Sequence, residues 1–332
     1  MSKKRLLIHA GVHQTGTALI QKMLSNNGGH LAANGVLYPP FGTTTAVGFV
    51  NHQRLAWNIQ EKKIEYQALK DWAATLTQAE AGTIVLSAQD FCRLLDLSFL
   101  DVFLDLFEVE AVFYVRRQDE WVNSWYNLHI KWPFHAKLCR SDPIEFLEHL
   151  DEFHWIRYFD TAERWAARIG RERVRVRVLE RGQIEDPVAD ICELAGMGPK
   201  LDSKNDRIAL CEQQLNGSLP ANQLHMLRRL GTIQYSAAVR AKITNAVRNA
   251  GGSANANTNV YRREIRQLII GHYAPQNEKL AGLYLGRSDG VLFRDNEFPQ
   301  DPADRNDGMD QRLIYMFIRK IINEFNPGIG DT

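Results

Sequence analysis

Apolar and polar positions change period several times along the chain. Short, nearly unbroken apolar runs occupy residues 6–10, 83–87 and 109–115, the length and composition of strands buried inside a parallel sheet. Residues 173–179 alternate strictly as Arg-Val-Arg-Val-Arg-Val-Leu, which predicts a strand with one polar face nearer a sheet edge, its arginines solvated or ion-paired. A helix opens at Thr17, with Leu19, Ile20, Met23 and Leu24 on one side, and Asn26-Asn27-Gly28-Gly29 stops it. Helical spacing recurs over 59–79, 97–107 and 161–169, then from 190–195 onward over 235–249, 261–270, 277–284 and 311–325. Residues 36–40, 42–45 and 51–53 read as irregular, and 251–259 as a flexible loop. Strands alternating with helices predict an α/β fold, a parallel sheet flanked by helices with a helical C-terminal part. One domain over 1–332 is expected, with a core at about 5–180 and a mostly helical remainder at about 185–326.

Composition narrows the function classes. The 332 residues are 45% hydrophobic, enough for a large core, and the net charge of +1 gives no global field for nucleic acid or a membrane surface. No apolar run approaches the ~18 residues of a membrane span. The basic start, Met1-Ser2-Lys3-Lys4-Arg5, runs into a strand and a glycine loop rather than a signal-peptide core. Cys92, Cys139, Cys192 and Cys211 are widely spaced, without a C-x-x-C pair or a metal-ligand cluster. Reduced thiols, a cytoplasmic location and no bound metal are the expectation.

The chemistry concentrates where the first strand ends. Gly11-Val12-His13-Gln14-Thr15-Gly16-Thr17-Ala18 is a glycine-bracketed loop opening onto a helix N-terminus, an arrangement that aims free N–H groups and the helix dipole at one anion. Gly11 and Gly16 have the spacing of a Walker A loop, but Thr17 stands where its lysine would be. The second strand runs into Gln89-Asp90, polar residues at a strand's carboxyl end, where open α/β sheets bind ligands. The third delivers Arg116, with Ser124 about two turns into the next helix; a guanidinium fork and a hydroxyl together suit a phosphate.

These two constellations resemble the sulfotransferases that use 3′-phosphoadenosine 5′-phosphosulfate (PAPS), particularly a bacterial branch with a P-loop-kinase-like fold. In that family a loop of the form H-K-T-G-T-T binds the 5′-phosphosulfate; the matching residues here are His13-Gln14-Thr15-Gly16-Thr17-Ala18. The family's arginine at a strand end, with a serine eight residues on, binds the 3′-phosphate; the match is Arg116 with Ser124. Weaker similarity runs through 87–90, 277–281 and 290–293. The resemblance implies transfer of a sulfuryl group from PAPS to a hydroxyl or amine of a small-molecule or saccharide acceptor, leaving adenosine 3′,5′-bisphosphate (PAP), with no metal required. It also implies a third phosphate contact from a C-terminal basic loop, here Arg287.

Two departures bear on activity. Gln14 replaces the family lysine, and by analogy with losing one oxyanion donor this raises the barrier by ~2.7–4 kcal/mol unless a protonated His13 compensates. Gln89 stands near where bacterial relatives carry a glutamate, leaving Asp90 or His52 as candidate bases. The alternatives are a catalytically weakened relative that binds PAPS or PAP and, against the absent Walker lysine, a P-loop nucleotide kinase. Acceptor-lining candidates are residues 41–53 and 132–138, with Trp121, Trp125 and Trp132 available to stack on a ring.

Overall fold

The computed structural model of the chain describes residues 3–41, 49–132, 135, 137–197, 218–230, 236–250, 257–298 and 301. The expected helix at 311–325, residues 251–256 of the expected loop, Cys211 and parts of both acceptor segments (42–48, 133–134 and 136) lie outside these residues. The chain divides into two compact units interleaved in sequence. One comprises 1–117, 153–215 and 272–296, and the other 118–152, 216–271 and 297–332.

The first unit is built on a wholly parallel five-stranded sheet with strands β1 (Lys4–His9), β2 (Val36–Leu37), β3 (Thr83–Ser87), β4 (Phe107–Val115) and β5 (Val174–Val178), in the order β2-β3-β1-β4-β5. The central strand β1 pairs in register with β3 (His9 beside Ser87) and with β4 (His9 beside Val112). The two-residue β2 falls where irregular chain was expected, because Val36 and Leu37 pair with Thr83 and Ile84. The alternating β5 is indeed an edge strand.

Helices follow in the order α1 (Thr17–Asn26), α2 (Gly28–Ala33), α3 (Gln53–Gln60), α4 (Tyr66–Thr77) and α5 (Leu100–Leu106). Then come α6 (Gln118–Lys131) and α7 (Pro143–Leu147), which belong to the second unit, and α8 (Tyr158–Ile169) and α9 (Pro187–Leu194). The expected single helix over 59–79 is two, α3 and α4, and α3 begins at Gln53; Lys62, at φ 54, breaks the run between them.

Both faces of the sheet are covered. On one, Leu7, Val85, Val112 and Tyr114 pack with Ile20, Met23 and Leu24 of α1 and Val188, Ile191 and Cys192 of α9. On the other, Phe113 meets Trp165 of α8 edge-on at 5.5 Å, and Phe99 and Phe103 extend the aromatic layer. Leu6, Leu7 and Ile8 are wholly buried, each stabilising the sheet by about 2 kcal/mol through apolar area removed from water. The arginines of β5 are ion-paired: Arg175 with Glu110, which also holds Arg5, and Arg177 with Asp190. Asp190 accepts from the Tyr114 hydroxyl as well, at 2.8 Å.

The described part of the second unit is mainly helical. It contains α6, α7, the helices Ala221–Leu230 and Ala237–Ala250, and the start of a long helix, Arg263–Leu285, whose remainder belongs to the first unit. Periodicity predicts two helices at 261–270 and 277–284; the backbone runs through Pro275 as one. The α7 N-terminus carries a complete capping box between Asp142 and Glu145. At the core of this unit Asp119 of α6 pairs with Arg266 at 2.6 Å, both almost wholly buried, and Arg266 also donates to Asn259 at 2.9 Å.

Removing the Asp190 carboxylate leaves the buried Tyr114 hydroxyl and the Arg177 guanidinium without their shared acceptor. Asp190→Ala is expected to destabilise the protein by about 2–3 kcal/mol, read from the urea midpoint, and Asp190→Asn by less.

Candidate functional site

Strand order places a crevice beside β1. The chain leaves β1 toward β2 at one edge of the sheet and leaves the adjacent β4 toward β5 at the other, so the two following connections diverge. Ligands of open α/β sheets bind at such a switch point, outside the strand carboxyl ends.

The loop after β1 lies there. Gly11 holds φ 89, and its carbonyl accepts from the Tyr114 N–H at 3.2 Å. A Cβ on Gly11 would sit 2.6 Å from the Gln89 carbonyl oxygen, so only glycine lets the loop pass this close to the end of β3. Gln14 takes a left-handed φ of 63, a conformation that costs an ordinary L residue about 1–2 kcal/mol. Gly16, exposed at φ 80, is the N-cap of α1 and supplies no side-chain cap bond to the helix's first turn. The Thr15 and Thr17 hydroxyls donate to the Val12 carbonyl at 2.5 and 3.2 Å, so both brace the loop from within. The start of this ten-residue helix, without a side-chain cap beneath a glycine apex, is an arrangement that suits an anion.

Beside the loop, Asp90 collects donors. Its Oδ1 is 2.6 Å from His13 Nε2 and accepts from Arg93 Nη1 at 3.2 Å; its Oδ2 accepts from Trp57 Nε1 at 2.6 Å and from Gln53 Nε2. Asp90 is 3% exposed and His13 8%. Burial alone would raise the Asp90 pKa, but the His13 hydrogen bond and the charges of His13 and Arg93 outweigh it and hold the carboxyl well below the usual range. Asp90 is therefore an ionised anchor that orients the His13 ring, which also tilts against Trp155 at 6.0 Å; Arg93 stacks over Trp155 at 5.0 Å. Gln53 and Trp57 lie one turn apart on α3, so one helix face supplies both contacts.

A second polar cluster lies at the carboxyl ends of β1 and β3. His52 donates its backbone N–H to the Ser87 carbonyl, and the Ser87 N–H donates to His52 Nδ1 at 3.0 Å. Nε2 must then carry the ring proton, which goes to the Pro39 carbonyl at 2.9 Å. Both ring nitrogens are committed to backbone, and burial pushes the His52 pKa down to about 4. The ring works as a neutral splice between residue 39 and the end of β3 and, in this conformation, offers no nitrogen to an acceptor's proton. Next to it, the Ser87 hydroxyl meets His9 Nδ1 at 2.8 Å and accepts from Gln21 Nε2 at 3.2 Å. His9 is wholly buried, its Nε2 has no partner among the described residues, and burial pushes its pKa down to about 3.

The remaining expected residues are placed as follows. Arg116 is half-buried just past β4, its carbonyl accepting from the Tyr158 hydroxyl at 2.7 Å; it belongs to the first unit, whereas Ser124 lies on α6 in the second. Arg287 donates to the Val291 and Leu292 carbonyls at 2.9 and 2.7 Å and to Gln183, which ties the 287–292 turn down. Trp121 and Trp125 stack on each other at 5.2 Å, buried in the second unit. Gln53 ends the expected acceptor-lining segment 41–53, whereas Trp57 and Arg93 were not expected as site residues; their i,i+4 and i,i+3 spacings to Gln53 and Asp90 were the available signals. No family profile, curated protein or solved structure matches the chain.

Two histidines that stay neutral when folded make the protein acid-sensitive. From about pH 6.5 downward the unfolded chain takes up protons at residues 9 and 52, which the folded chain refuses until about pH 3 and 4. Stability is complete above that upper limit and is lost as pH falls through the window, at about 3 kcal/mol per pH unit while both contribute. Urea midpoints between pH 7 and 4.5 are expected to show this uptake, and His9→Gln to remove about one proton from it.

Proposed function

We propose that the chain is a PAPS-dependent sulfotransferase. The observation that carries this reading is the Gly11–Gly16 cradle at the switch point, opening onto an uncapped helix N-terminus with Thr17 in place of a Walker lysine. The motif resemblance and a strand order that puts this loop between two diverging connections support a P-loop-like nucleotide fold. The backbone of residues 11–18 and the Gln14 amide would hold the phosphosulfate, and Arg116 the 3′-phosphate. Bound there, PAPS supplies the sulfuryl group and a good leaving phosphate.

The chain's own part is positioning and proton handling. Asp90 orients the ring of His13, which in its neutral form is the group suited to take the acceptor's proton, as histidine–carboxylate pairs do elsewhere. Asp90, ionised but surrounded by four donors, acts through His13. Because Gln14 brings no charge to the leaving phosphate, charge arriving on His13 would offset part of that loss.

A thermal-shift titration with PAP, ATP and AMP, each with and without magnesium, tests the reading. PAP alone, without metal, is expected to stabilise by about 2.7 kcal/mol at 100 times its dissociation constant, with Arg116→Ala abolishing the shift. Stabilisation by ATP with magnesium instead would favour a kinase. The uncharged Gln14 specifically favours a weakened, binding-only relative as the second reading. Gln14→Lys separates the two: PAP release from PAPS stays level or falls in a working enzyme and rises in a weakened one.

A further inference from the structure

We infer that Trp57 is the platform on which the acceptor stacks, and that the acceptor is a saccharide presenting a hydroxyl to His13. This rests on the sulfotransferase reading of the same site and names its substrate class.

Trp57 is 48% exposed, while its indole Nε1 is tied to the buried Asp90 at 2.6 Å. Exposed large apolar side chains on the described surface include Tyr66, Leu95, Ile144, Leu268 and Leu283, and Trp57 differs from them in being bonded to the carboxylate that also holds His13. A charge-assisted bond to a buried carboxylate is among the stronger ones, so the ring is held in one orientation although nearly half of it stays in water. Leaving that apolar surface wet is unfavourable, and a ring fixed in advance loses little entropy when a ligand covers it.

The surroundings choose the ligand. A steroid or phenol is best held by apolar walls on several sides. Here the groups gathered at Asp90 are Gln53, Arg93 and His13, and the second indole, Trp155, is buried under the Arg93 guanidinium. One open aromatic among polar groups matches a pyranose. Its C–H face carries slight positive charge toward the negative face of the indole, and its hydroxyls point outward to polar side chains. Of the tryptophans expected to stack on a ring, Trp121 and Trp125 are buried and present no such surface, and Trp132 is half-buried in the second unit.

Saturation-transfer NMR on the full chain with PAP tests this, using glucose, N-acetylglucosamine and p-nitrophenol as probes. Ring C–H signals from at least one sugar are expected with the wild type. They should fall to background in Trp57→Ala and survive weakened in Trp57→Phe, which keeps a ring but loses the bond to Asp90. The adenine signals of PAP should persist in all three proteins, showing that the fold and nucleotide site are intact. Equal sugar signals in Trp57→Ala, no sugar signal at all, or a response to p-nitrophenol alone would overturn the inference. Absence of PAP signals from the wild type would instead tell against the nucleotide site, and the dependence of the sugar signals on Trp57 would still decide the platform.

Discussion

A carboxylate that stays ionised at 3% exposure has to be surrounded by donors, and Asp90 draws them from separate parts of the chain. His13 comes from the loop after β1, Gln53 and Trp57 from α3, and Arg93 from the turn just beyond β3. The chain must bring the glycine loop and α3 to the carboxyl end of β3 for any of these bonds to form. The steric fit of Gly11 against Gln89 and the backbone exchange between His52 and Ser87 fix the same two approaches independently. The position of the site thus follows from satisfying one buried charge.

The fold was legible where periodicity is strong. β1, β3 and β4 are apolar runs long enough to be read, and β5 declares itself by strict alternation. The strand β2 was invisible because two residues carry no period; only pairing with Thr83 and Ile84 makes them a strand. The long Arg263–Leu285 helix was read as two because Pro275 argues for a break, an argument about local cost that tertiary context overrode. The interleaving of two units leaves no signature in composition.

The candidate site was legible in its backbone and not in its side chains. Glycine spacing identifies a loop that must turn sharply, and the helix after it is amphipathic, so the course of the backbone beyond β1 could be read directly. Apart from the i,i+3 contact of Arg93 with Asp90, what His13, Asp90 and His52 do depends on partners 13 to 77 residues away in sequence, which no local pattern encodes. His52 and Asp90 looked equivalent as candidate bases. Three-dimensional context separates them into a neutral splice and an ionised anchor. Trp57 stayed hidden because the start of α3 follows polar residues without a capping signal.

The paired arginines of β5 also govern how the molecule behaves toward its own copies. A parallel sheet ends somewhere, and its last strand is an invitation to further pairing. At one end β2 is too short to template a neighbour. At the other, Arg175 and Arg177 of β5 reach back to Glu110 and Asp190, so an incoming strand would have to accommodate these charged pairs. Stability and solubility are served by the same side chains: the guanidiniums that neutralise Glu110 and Asp190 from the sheet's rim also keep that rim from growing.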